Sequence, residues 1–234
     1  MPLRLAALLL LLATASVRAS DIVNAIPSSA RQLVLVTTNS WASPHATLQC
    51  YERSGAGGKW ERAGIACAAQ VGQRGLAWGL GLHDAPPAGA PRKREGDRRA
   101  PAGIFRITGA FGTQPRAMRL PYFALTATHE AVDDPASRHY NRIVDRATVR
   151  PDWRSSEHMA ASPHYALGLT LDHNPAHKPG AGSCVFIHAW IGERAGSLGC
   201  TILRQPDLLR LALWLDPARH PVLMQLPRAE APRF

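Results

Sequence analysis

The most informative stretch of the chain is residues 182–203, GSCVFIHAWIGERAGSLGCTIL. A β-rich run ends in His188, a glycine-containing loop follows, and a Ser-Leu-Gly-Cys turn ends at Cys200. A cysteine is a useful nucleophile only as thiolate, and a nearby imidazole can accept its proton. Gly199 is expected to let the chain turn tightly, so that amides around Cys200 point at a developing oxyanion. The alternative is a structural cysteine with a histidine buried in the core, which is the commoner origin of such a pair.

Strand-like segments surround this stretch on both sides. Residues 130–162, polar and rich in Arg, Asp and His, are expected to form a long loop region over a sheet face. One helix is predicted at 207–215, where apolar residues share one face after Pro206. Four glycines within 72–82 predict backbone that passes close to other backbone. Short β-branched or alternating runs predict strands at 32–38, 47–52, 59–67, 104–108, 122–126, 165–171, 183–188 and 222–226.

These elements and the composition predict one mainly β domain, a β-sandwich with long loops and a helix near the C-terminus. The chain has 234 residues, of which 46% are hydrophobic and 19% charged, which excludes a disordered, collagen-like or coiled-coil chain. Its 19 glycines and 19 prolines favour turns and short strands over a helical bundle. No internal repeat or change in composition marks a second domain, so residues 20–234 are expected to form a single domain.

The first 19 residues have the pattern of a secretory signal peptide. Arg4 precedes an uncharged apolar run over residues 5–13, and Val17-Arg18-Ala19 fits a signal-peptidase site. No later apolar run is long, and this one is too short for a stable transmembrane helix, so no transmembrane segment is expected after cleavage. We therefore expect an exported protein of the periplasm or cell wall. An uncleaved anchor or a buried first helix are the alternatives.

The net charge argues against one class of partner. At +10 the chain is strongly basic, so an exported form must meet or tolerate anionic material such as acidic wall polymers or lipid headgroups. The densest basic run, residues 92–99, contains two acidic residues and no aromatic residue that could stack on bases. We therefore expect no nucleic-acid partner.

The cysteines leave the disulfide pattern open; they are Cys50, Cys67, Cys184 and Cys200. An even number in an oxidising compartment is typical of disulfides, but a catalytic thiol would have to stay free. Cys50 and Cys67 flank a glycine-rich turn at 54–58 and form the candidate bridge, which hairpin register alone cannot decide. Cys184 precedes His188 by four residues on a strand and is expected to be a core residue.

No metal site is predicted. The chain contains no C-x-x-C pair. His173 and His177 lie four residues apart, but Pro175 between them argues against the helix that would present both to one ion. A metal-binding protein that uses some of the 10 histidines is an alternative function.

The 182–203 stretch resembles the catalytic motif of the L,D-transpeptidase (YkuD-domain) family. That motif is a histidine after an apolar strand, a loop, and then Ser or Thr, a variable residue, glycine and cysteine. Further stretches are similar to segments of the stand-alone bacterial branch: KREGD at 93–97 followed by PAGIF at 101–105, VDDP at 132–135 with Tyr140-Asn141, and LDHN at 171–174. The matched blocks run from residue 33 to residue 226.

The resemblance implies an L,D-transpeptidase that acts on peptidoglycan stem peptides and needs no metal or organic cofactor. Cys200 would attack the carbonyl that follows an L-centre, release a D-amino acid and pass the acyl group to an amine, which joins two stems. His188 would be its base and the carbonyl of Ala189 would orient the imidazole. The amides of Gly199 and Cys200 would hold the oxyanion. Carbapenems acylate many family members at this cysteine, so carbapenem acylation of Cys200 is also expected.

Five further residues are candidates for binding the stem peptide. They are Ser197, Tyr140, Asn141, Asn174 and Lys93. For Tyr140, Asn141 and Asn174 the alternative is turn chemistry in surface loops. Lys93 would contact substrate carboxylates, with a solvated loop as the alternative.

The chain departs from the commonest family pattern beside the nucleophile. Leu198 stands where many members have a second histidine, and only residues 189–196 separate His188 from Ser197. The choice of acceptor is therefore left open. An L,D-carboxypeptidase or amidase, in which water replaces the acceptor amine, and a non-catalytic wall-binding module are alternative functions.

Overall fold

The structure, a computed structural model, describes residues 19–83, 86, 88–192 and 196–234. The expected signal peptide, residues 1–19, lies outside these ranges except for its last residue. The first described element is the helix α1 (Ala19–Asn24); Ile22 within it and Ile26 just after it are buried in the core. No helix in these ranges is long and apolar enough to cross a membrane.

The secondary structure is mainly β, as predicted. The predicted helix near the C-terminus is α2 (Gln205–Trp214), and short 3₁₀ helices cover Met159–Ala161, Pro163–Ala166 and Pro217–Arg219. The strands in chain order are β1 (Gln32–Thr38), β2 (His45–Glu52), β3 (Glu61–Gln70), β4 (Leu76–Trp78), β5 (Ala100–Gly112), β6 (Tyr122–Ala124), β7 (His129–Val132), β8 (Arg142–Asp145), β9 (Ser156–His158), β10 (Gly168–Leu171), β11 (Phe186–Ala189), β12 (Thr201–Leu203) and β13 (Val222–Pro227). The sequence patterns do not predict the short strands β4, β7 to β9 and β12.

The larger sheet is closed by its own pairings. β1 lies between β2, which runs antiparallel to it, and β13, which runs parallel, and β13 pairs with β5. β10 pairs with β5 on one side and with β11 on the other, and β11 continues through β12 and β3 to β2. The strands therefore form the ring β5–β10–β11–β12–β3–β2–β1–β13 rather than two separate sheets. Closure pairs strand edges that would otherwise be open to other chains.

The core lies around β1 and β13, which are buried along nearly their whole length. Strands that are continuously apolar are typically covered on both faces. α2 provides one cover, because its Leu208, Leu211 and Ala212 belong to the same core cluster. Full burial of each leucine contributes roughly 1.5–3 kcal/mol.

The glycine-rich segment 72–82 passes close to neighbouring backbone, as predicted. A Cβ on Gly72 would lie only 2.4 Å from the carbonyl oxygen of Arg98. Gly72 also forms an isolated parallel bridge with Ser197. This segment therefore lies directly beside the turn that ends at Cys200.

The predicted loop region at 130–162 instead contains a small antiparallel sheet in the order β8–β7–β9. Its strands are only three or four residues long, which is too short for a periodic pattern to stand out in the sequence. A buried carboxylate holds the sheet together: Glu130 accepts hydrogen bonds at 2.6–3.0 Å from the side chains of Arg146, Trp153 and Ser156.

All four cysteines are free thiols in the structure, so the candidate Cys50–Cys67 bridge is not formed. Cys67 lies opposite Leu48 in the β2–β3 ladder, which shifts register between Gln49 and Tyr51. Burial raises the pKa of Cys67 to about 11 and raises the pKa of Cys50 further. Neither thiol is therefore a ready nucleophile at neutral pH.

Candidate active site

Cys200 and His188 lie on neighbouring strands of the ring. β11 and β12 pair in parallel with His188 opposite Ile202, so Cys200, directly before β12, lies at the level of Phe186. Side chains alternate along a strand, and Phe186 and His188 therefore share a face with Cys200. Cys200 and His188 both line one cavity of about 430 Å³, here called the Cys200 cavity. The structure thus brings together the two residues that the sequence motif singles out.

Cys200 is half-buried as a residue, and its thiol lies among backbone groups. The N–H of Phe186 donates a hydrogen bond to Sγ at 3.3 Å, and Sγ lies 3.8 Å from the carbonyl oxygen of Cys184. Burial raises the pKa of Cys200 to about 12, although the hydrogen bond from the Phe186 amide acts to lower it. The Glu157 carboxylate adds to the rise and Lys93 opposes it. The thiol is therefore protonated at neutral pH, and a base must take its proton to produce the nucleophile.

His188 is neutral and oriented. Its side chain is buried, and Nδ1 lies 3.0 Å from the carbonyl oxygen of Ala189, the contact that the family resemblance implies. A carbonyl can only accept, so Nδ1 carries the hydrogen and Nε2 holds the free lone pair. Burial lowers the pKa of His188 to about 4, which the Ala189 carbonyl opposes and His164 reinforces. The rings of Tyr165 and His164 lie 5.3 and 5.5 Å away, centroid to centroid.

The nucleophile turn, residues 196–200, is anchored to residues 71–73. The N–H of Ser197 donates to the Val71 carbonyl at 2.9 Å, and the N–H of Gln73 donates to the Ser197 carbonyl at 2.8 Å. Ser197 Oγ accepts from the Gly199 N–H at 3.0 Å and donates to the Cys200 carbonyl at 2.5 Å. Ser197 lines the Cys200 cavity, but its hydroxyl and the Gly199 amide are bonded to each other.

The tight conformation expected at Gly199 occurs at Gly196 instead. Gly196 has a φ of +80°, and a Cβ there would lie 2.7 Å from the Cα of Gln73. Gly199 is outside the left-handed region, and the first atom that a Cβ on it would meet is the Arg99 carbonyl oxygen at 3.4 Å, a normal contact distance. On steric grounds, glycine is therefore required at 196.

Lys93 lines the Cys200 cavity with its charge already paired. The side chain is buried, and Nζ donates to Asp97 Oδ1 at 2.6 Å and to the Arg94 carbonyl at 2.7 Å. This burial contradicts the solvated-loop alternative for Lys93. The two bonds leave one ammonium hydrogen for the cavity.

The other three candidates for substrate binding brace loops within the protein. Tyr140 is buried, and its hydroxyl donates to Glu95 Oε2 at 2.5 Å. Asn141 Nδ2 donates to the carbonyl oxygens of His173 and Asn174, and the Asn174 side chain is fully buried with backbone partners. Both asparagines have left-handed φ values, and none of the three candidates lines the Cys200 cavity. The structure therefore favours turn chemistry for them.

Sequence reasoning missed the acidic side of the cavity. Glu157 on β9, Asp133 after β7 and Glu95 line it together with Tyr165, whose hydroxyl donates to Glu157 Oε2 at 2.5 Å. These residues come from separate segments, so no local spacing links them to Cys200. The KREGD stretch, which contains Glu95, and the VDDP stretch, which contains Asp133, were the available signals.

Within the described ranges, no group of three or more His, Cys, Asp or Glu residues is placed to hold a metal ion. His173 is buried, and its Nε2 lies 3.2 Å from the carbonyl oxygen of Ala181. Burial lowers the pKa of His173 to about 4, and the nearby Lys93 charge acts in the same direction. His173 is therefore a neutral structural residue in this fold.

A known family model matches a part of the chain that includes the whole 182–203 motif. The sequence profile of the YkuD family, described as the L,D-transpeptidase catalytic domain, matches residues 69–224. This range is more than half of the chain and includes His188 and the nucleophile turn. Neither a curated protein nor a solved structure matches the chain. On the strength of the profile match, the chain belongs to the L,D-transpeptidase catalytic-domain (YkuD) family.

Proposed function

We propose that this protein is a peptidoglycan L,D-transpeptidase with Cys200 as nucleophile and His188 as base. One observation carries the proposal: a thiol and a neutral, oriented imidazole line the same cavity. Family membership supplies the reaction class. Because peptidoglycan lies outside the cytoplasmic membrane, the proposal places the protein in the periplasm or cell wall, in keeping with the signal peptide expected at residues 1–19.

In the first half of the reaction Cys200 is acylated. Nε2 of His188 takes the thiol proton as Sγ attacks the carbonyl carbon that follows an L-centre of the stem. The tetrahedral intermediate collapses, the C–N bond breaks, and the D-amino acid leaves with that proton on its amine. Since the thiol and the imidazole are both neutral before substrate binds, proton transfer accompanies attack rather than preceding it.

The negative charge that develops on the substrate oxygen requires donors nearby. The backbone N–H groups of Cys200 and Gly199 fill this role, and the Gly199 amide must exchange Ser197 Oγ for the substrate oxygen. Lys93 on the cavity wall adds a positive charge that favours both the thiolate and the oxyanion.

In the second half an amine of another stem attacks the thioester. His188 accepts one proton from the attacking amine and returns it to Sγ as the C–S bond breaks. An amide cross-link forms and the Cys200 thiol is regenerated. With water as the acceptor, the same steps would give an L,D-carboxypeptidase.

The test is mass spectrometry of the protein incubated with muropeptides that carry tetrapeptide stems. We expect an acyl adduct on Cys200 and a cross-linked dimer, and we expect carbapenems to acylate the same residue. Cys200→Ala should give none of these products. Cys67→Ala, the matched control that removes a thiol outside the cavity, should give all of them.

Three other outcomes would each point to a different function or mechanism. Tripeptide stems without a dimer would identify a carboxypeptidase. Activity that survives Cys200→Ala would exclude the thiol mechanism. Unchanged stems with an unmodified Cys200 would leave a wall-binding module as the better account.

A further inference from the structure

A second and larger cavity adjoins the Cys200 cavity, and the proposed reaction does not use it. It has a volume of about 600 Å³ and is called here the Phe123 cavity. Strands β5, β10 and β11 of the ring contribute residues to its wall, and so do β7 and β8 of the small sheet. Cys184 and Val185 line both cavities, which are therefore direct neighbours.

An exposed aromatic surface forms part of the wall of the Phe123 cavity. Phe123 on β6 is 37% exposed although it is a large apolar side chain. The ring of His129, which also lines the cavity, lies 5.7 Å from it at 30° between the ring planes. The face of an aromatic ring carries partial negative charge and attracts the slightly positive C–H groups of a ligand. This surface therefore suits a ligand that has a flat face of C–H groups.

Polar groups accompany the aromatic surface. The hydroxyls of Thr108 and Thr170 lie 2.8 Å apart, and both keep lone pairs for a ligand. Asp145 lines the cavity from β8, and hydrogen bonds from the Thr128 side chain and from the Ala147 amide lower its pKa. Its carboxylate is therefore ionised at neutral pH and can accept further hydrogen bonds from a ligand.

One buried nitrogen in the wall lacks a partner. Nδ1 of His177 is buried and has no hydrogen bond to any residue that the structure describes. Buried polar atoms in folded proteins are almost always hydrogen-bonded, so a ligand hydroxyl or amide would supply the bond that this nitrogen lacks. Asn141 and His173 line the same cavity, but both already bond to backbone carbonyls.

The fixed charges of the wall favour a ligand with no net charge. Asp145 contributes a negative charge, and Arg142 contributes a positive charge that no described acidic residue pairs. Asp172 is already paired with Arg106 at 3.0 Å. A strongly anionic or cationic ligand therefore gains little from the wall as a whole. An uncharged molecule with a C–H face, hydroxyls and amides satisfies all of these features, and an N-acetylated sugar is such a molecule.

The distance to the nucleophile fits the length of a stem peptide. Phe186 lines the Phe123 cavity, and its N–H donates to Cys200 Sγ at 3.3 Å. In a tetrapeptide stem, the carbonyl that Cys200 would attack belongs to the third residue counted from the sugar. Three extended residues span about 10 Å. A sugar in the Phe123 cavity is therefore within reach of a stem whose carbonyl lies at Sγ.

We propose that the Phe123 cavity is a saccharide-binding site, and that it holds the N-acetylated disaccharide to which the donor stem is attached. This inference deepens the proposed function and rests on it for the identity of the stem. One sugar face packs on Phe123, while Asp145, Arg142 and His177 bond to hydroxyl and acetamide groups. Such binding is the same before and during attack, so the disaccharide lowers the KM for acylation and leaves the maximal rate unchanged.

The kinetic test compares two donors on the full-length protein, a disaccharide-tetrapeptide and the same tetrapeptide without sugar. Mass spectrometry of quenched samples gives the KM and the maximal rate of acyl-enzyme formation. We expect the KM to be about tenfold lower for the disaccharide donor. Phe123→Ala should reduce this advantage to about twofold, because the sugar loses the apolar surface on which it packs. The ratio between the two donors cancels any general effect of the substitution on folding.

Two further variants act as controls. Leu213→Ala removes a side chain that is 49% exposed on α2 and lines neither cavity, so it should keep the tenfold advantage. Phe123→Trp retains an aromatic face and should also keep most of the advantage. Loss of the advantage in Leu213→Ala as well would show that the disaccharide does not depend on the Phe123 cavity.

A binding measurement makes the test independent of catalysis. The Cys200→Ala protein is titrated with tri-N-acetylchitotriose, a saccharide without a peptide, and followed by calorimetry and by amide NMR shifts. We expect binding with shifts at residues 123, 142 and 145, and an affinity about fivefold weaker when Phe123→Ala is added. Binding without shifts at these residues would overturn the assignment of the site.

The outcomes separate this inference from the function on which it rests. Acylation with the same KM for both donors would overturn the inference alone. Saccharide binding at the Phe123 cavity in a native protein that forms no acyl-enzyme with either donor would overturn the proposed function and leave a saccharide site. Failure of both saccharide binding and acylation would overturn both.

Discussion

The backbone N–H of Phe186 donates a hydrogen bond to Sγ of Cys200 over 3.3 Å, from one strand of the parallel pair to the residue just before the other. An amide donor stabilises a thiolate more than a thiol, so this contact lowers the pKa of Cys200. Burial outweighs it and holds the pKa at about 12. The Cys200 thiol is therefore protonated at neutral pH, and in the proposed mechanism it stays so until His188 accepts the proton.

The rate at which iodoacetamide alkylates Cys200 should rise steadily with pH well beyond neutrality. With a pKa of about 12, the thiolate fraction increases about tenfold for each pH unit between 7 and 10. Peptide mapping by mass spectrometry after timed alkylation measures this rate, with Cys200→Ala as the blank. A plateau near pH 7 would show that the thiolate already exists in the free protein, contrary to this account.

Acidification from pH 7 to pH 5 should destabilise the fold through its buried histidines. Burial lowers the pKa of His188 and of His173 to about 4 in the folded protein, against about 6.5 in an unfolded chain. As pH falls, the unfolded state binds protons first, so stability is lost between about pH 6.5 and pH 4. Each histidine accounts for up to about 1.4 kcal/mol per pH unit. Urea unfolding at pH 7, 6 and 5 measures the loss.

Two variants assign this pH dependence to particular residues. His188→Gln should flatten it, because the variant has one fewer buried group to protonate on unfolding. His45→Gln alters an exposed residue at the start of β2 and should leave the dependence as it is. Equal slopes in the two variants would mean that His188 is not buried in its neutral form.

Alanine should be far more harmful at Gly196 than at Gly199. At 196 it must adopt a φ of +80° and overlap the Gln73 backbone, which we expect to cost about 1–3 kcal/mol and to displace the nucleophile turn. At 199 the added methyl group meets the Arg99 carbonyl at a normal distance, so the Tm should stay near native. Thermal unfolding compares the Tm of the two variants. The carbapenem acylation rate of Gly196→Ala reports on the displacement of the nucleophile turn. Equal losses of Tm would contradict the assignment of the tight turn to Gly196.

Glu130→Gln should loosen the small β8–β7–β9 sheet. The native carboxylate is 2% exposed and accepts from the side chains of Arg146, Trp153 and Ser156. The glutamine replaces one accepting oxygen by an amide donor that faces other donors, and we expect about 2 kcal/mol of destabilisation. Hydrogen exchange should become faster at residues 129–158 before it changes in β1 and β13. Unchanged exchange in that segment would show that Glu130 does not hold the sheet.

The sequence alone was sufficient for the mainly β class, for α2 and for predicting that Cys200 and His188 come together, as they do in one cavity. Each is carried by residues that lie close together in the chain. Apolar residues on one face predict a helix at 207–215, and the observed helix is Gln205–Trp214. The cysteine and the histidine belong to one motif within 182–203. Local periodicity and motif spacing are the signals that a single sequence preserves.

Burial and hydrogen bonding bear on functions that the sequence left as alternatives. Asn141 and Asn174 have the same amide groups whether they bind a ligand or brace a turn, and in the structure these amides donate to backbone carbonyls. Lys93 is in a charged stretch that could have been solvated, yet its side chain is buried beside the nucleophile turn. For each of these residues the local sequence is the same under either alternative. The neighbours that the fold packs around the side chain therefore decide between the alternatives.

The acidic wall of the Cys200 cavity depended entirely on tertiary contacts. Glu157 lies on a three-residue strand, which is too short to carry a periodic signal, and it is distant in sequence from Cys200. The two residues reach the same cavity because β10 closes the ring and the small sheet contributes residues to the cavity wall. Contacts between remote segments are set by how strands pair across the whole fold, and short-range patterns in the sequence do not encode that pairing.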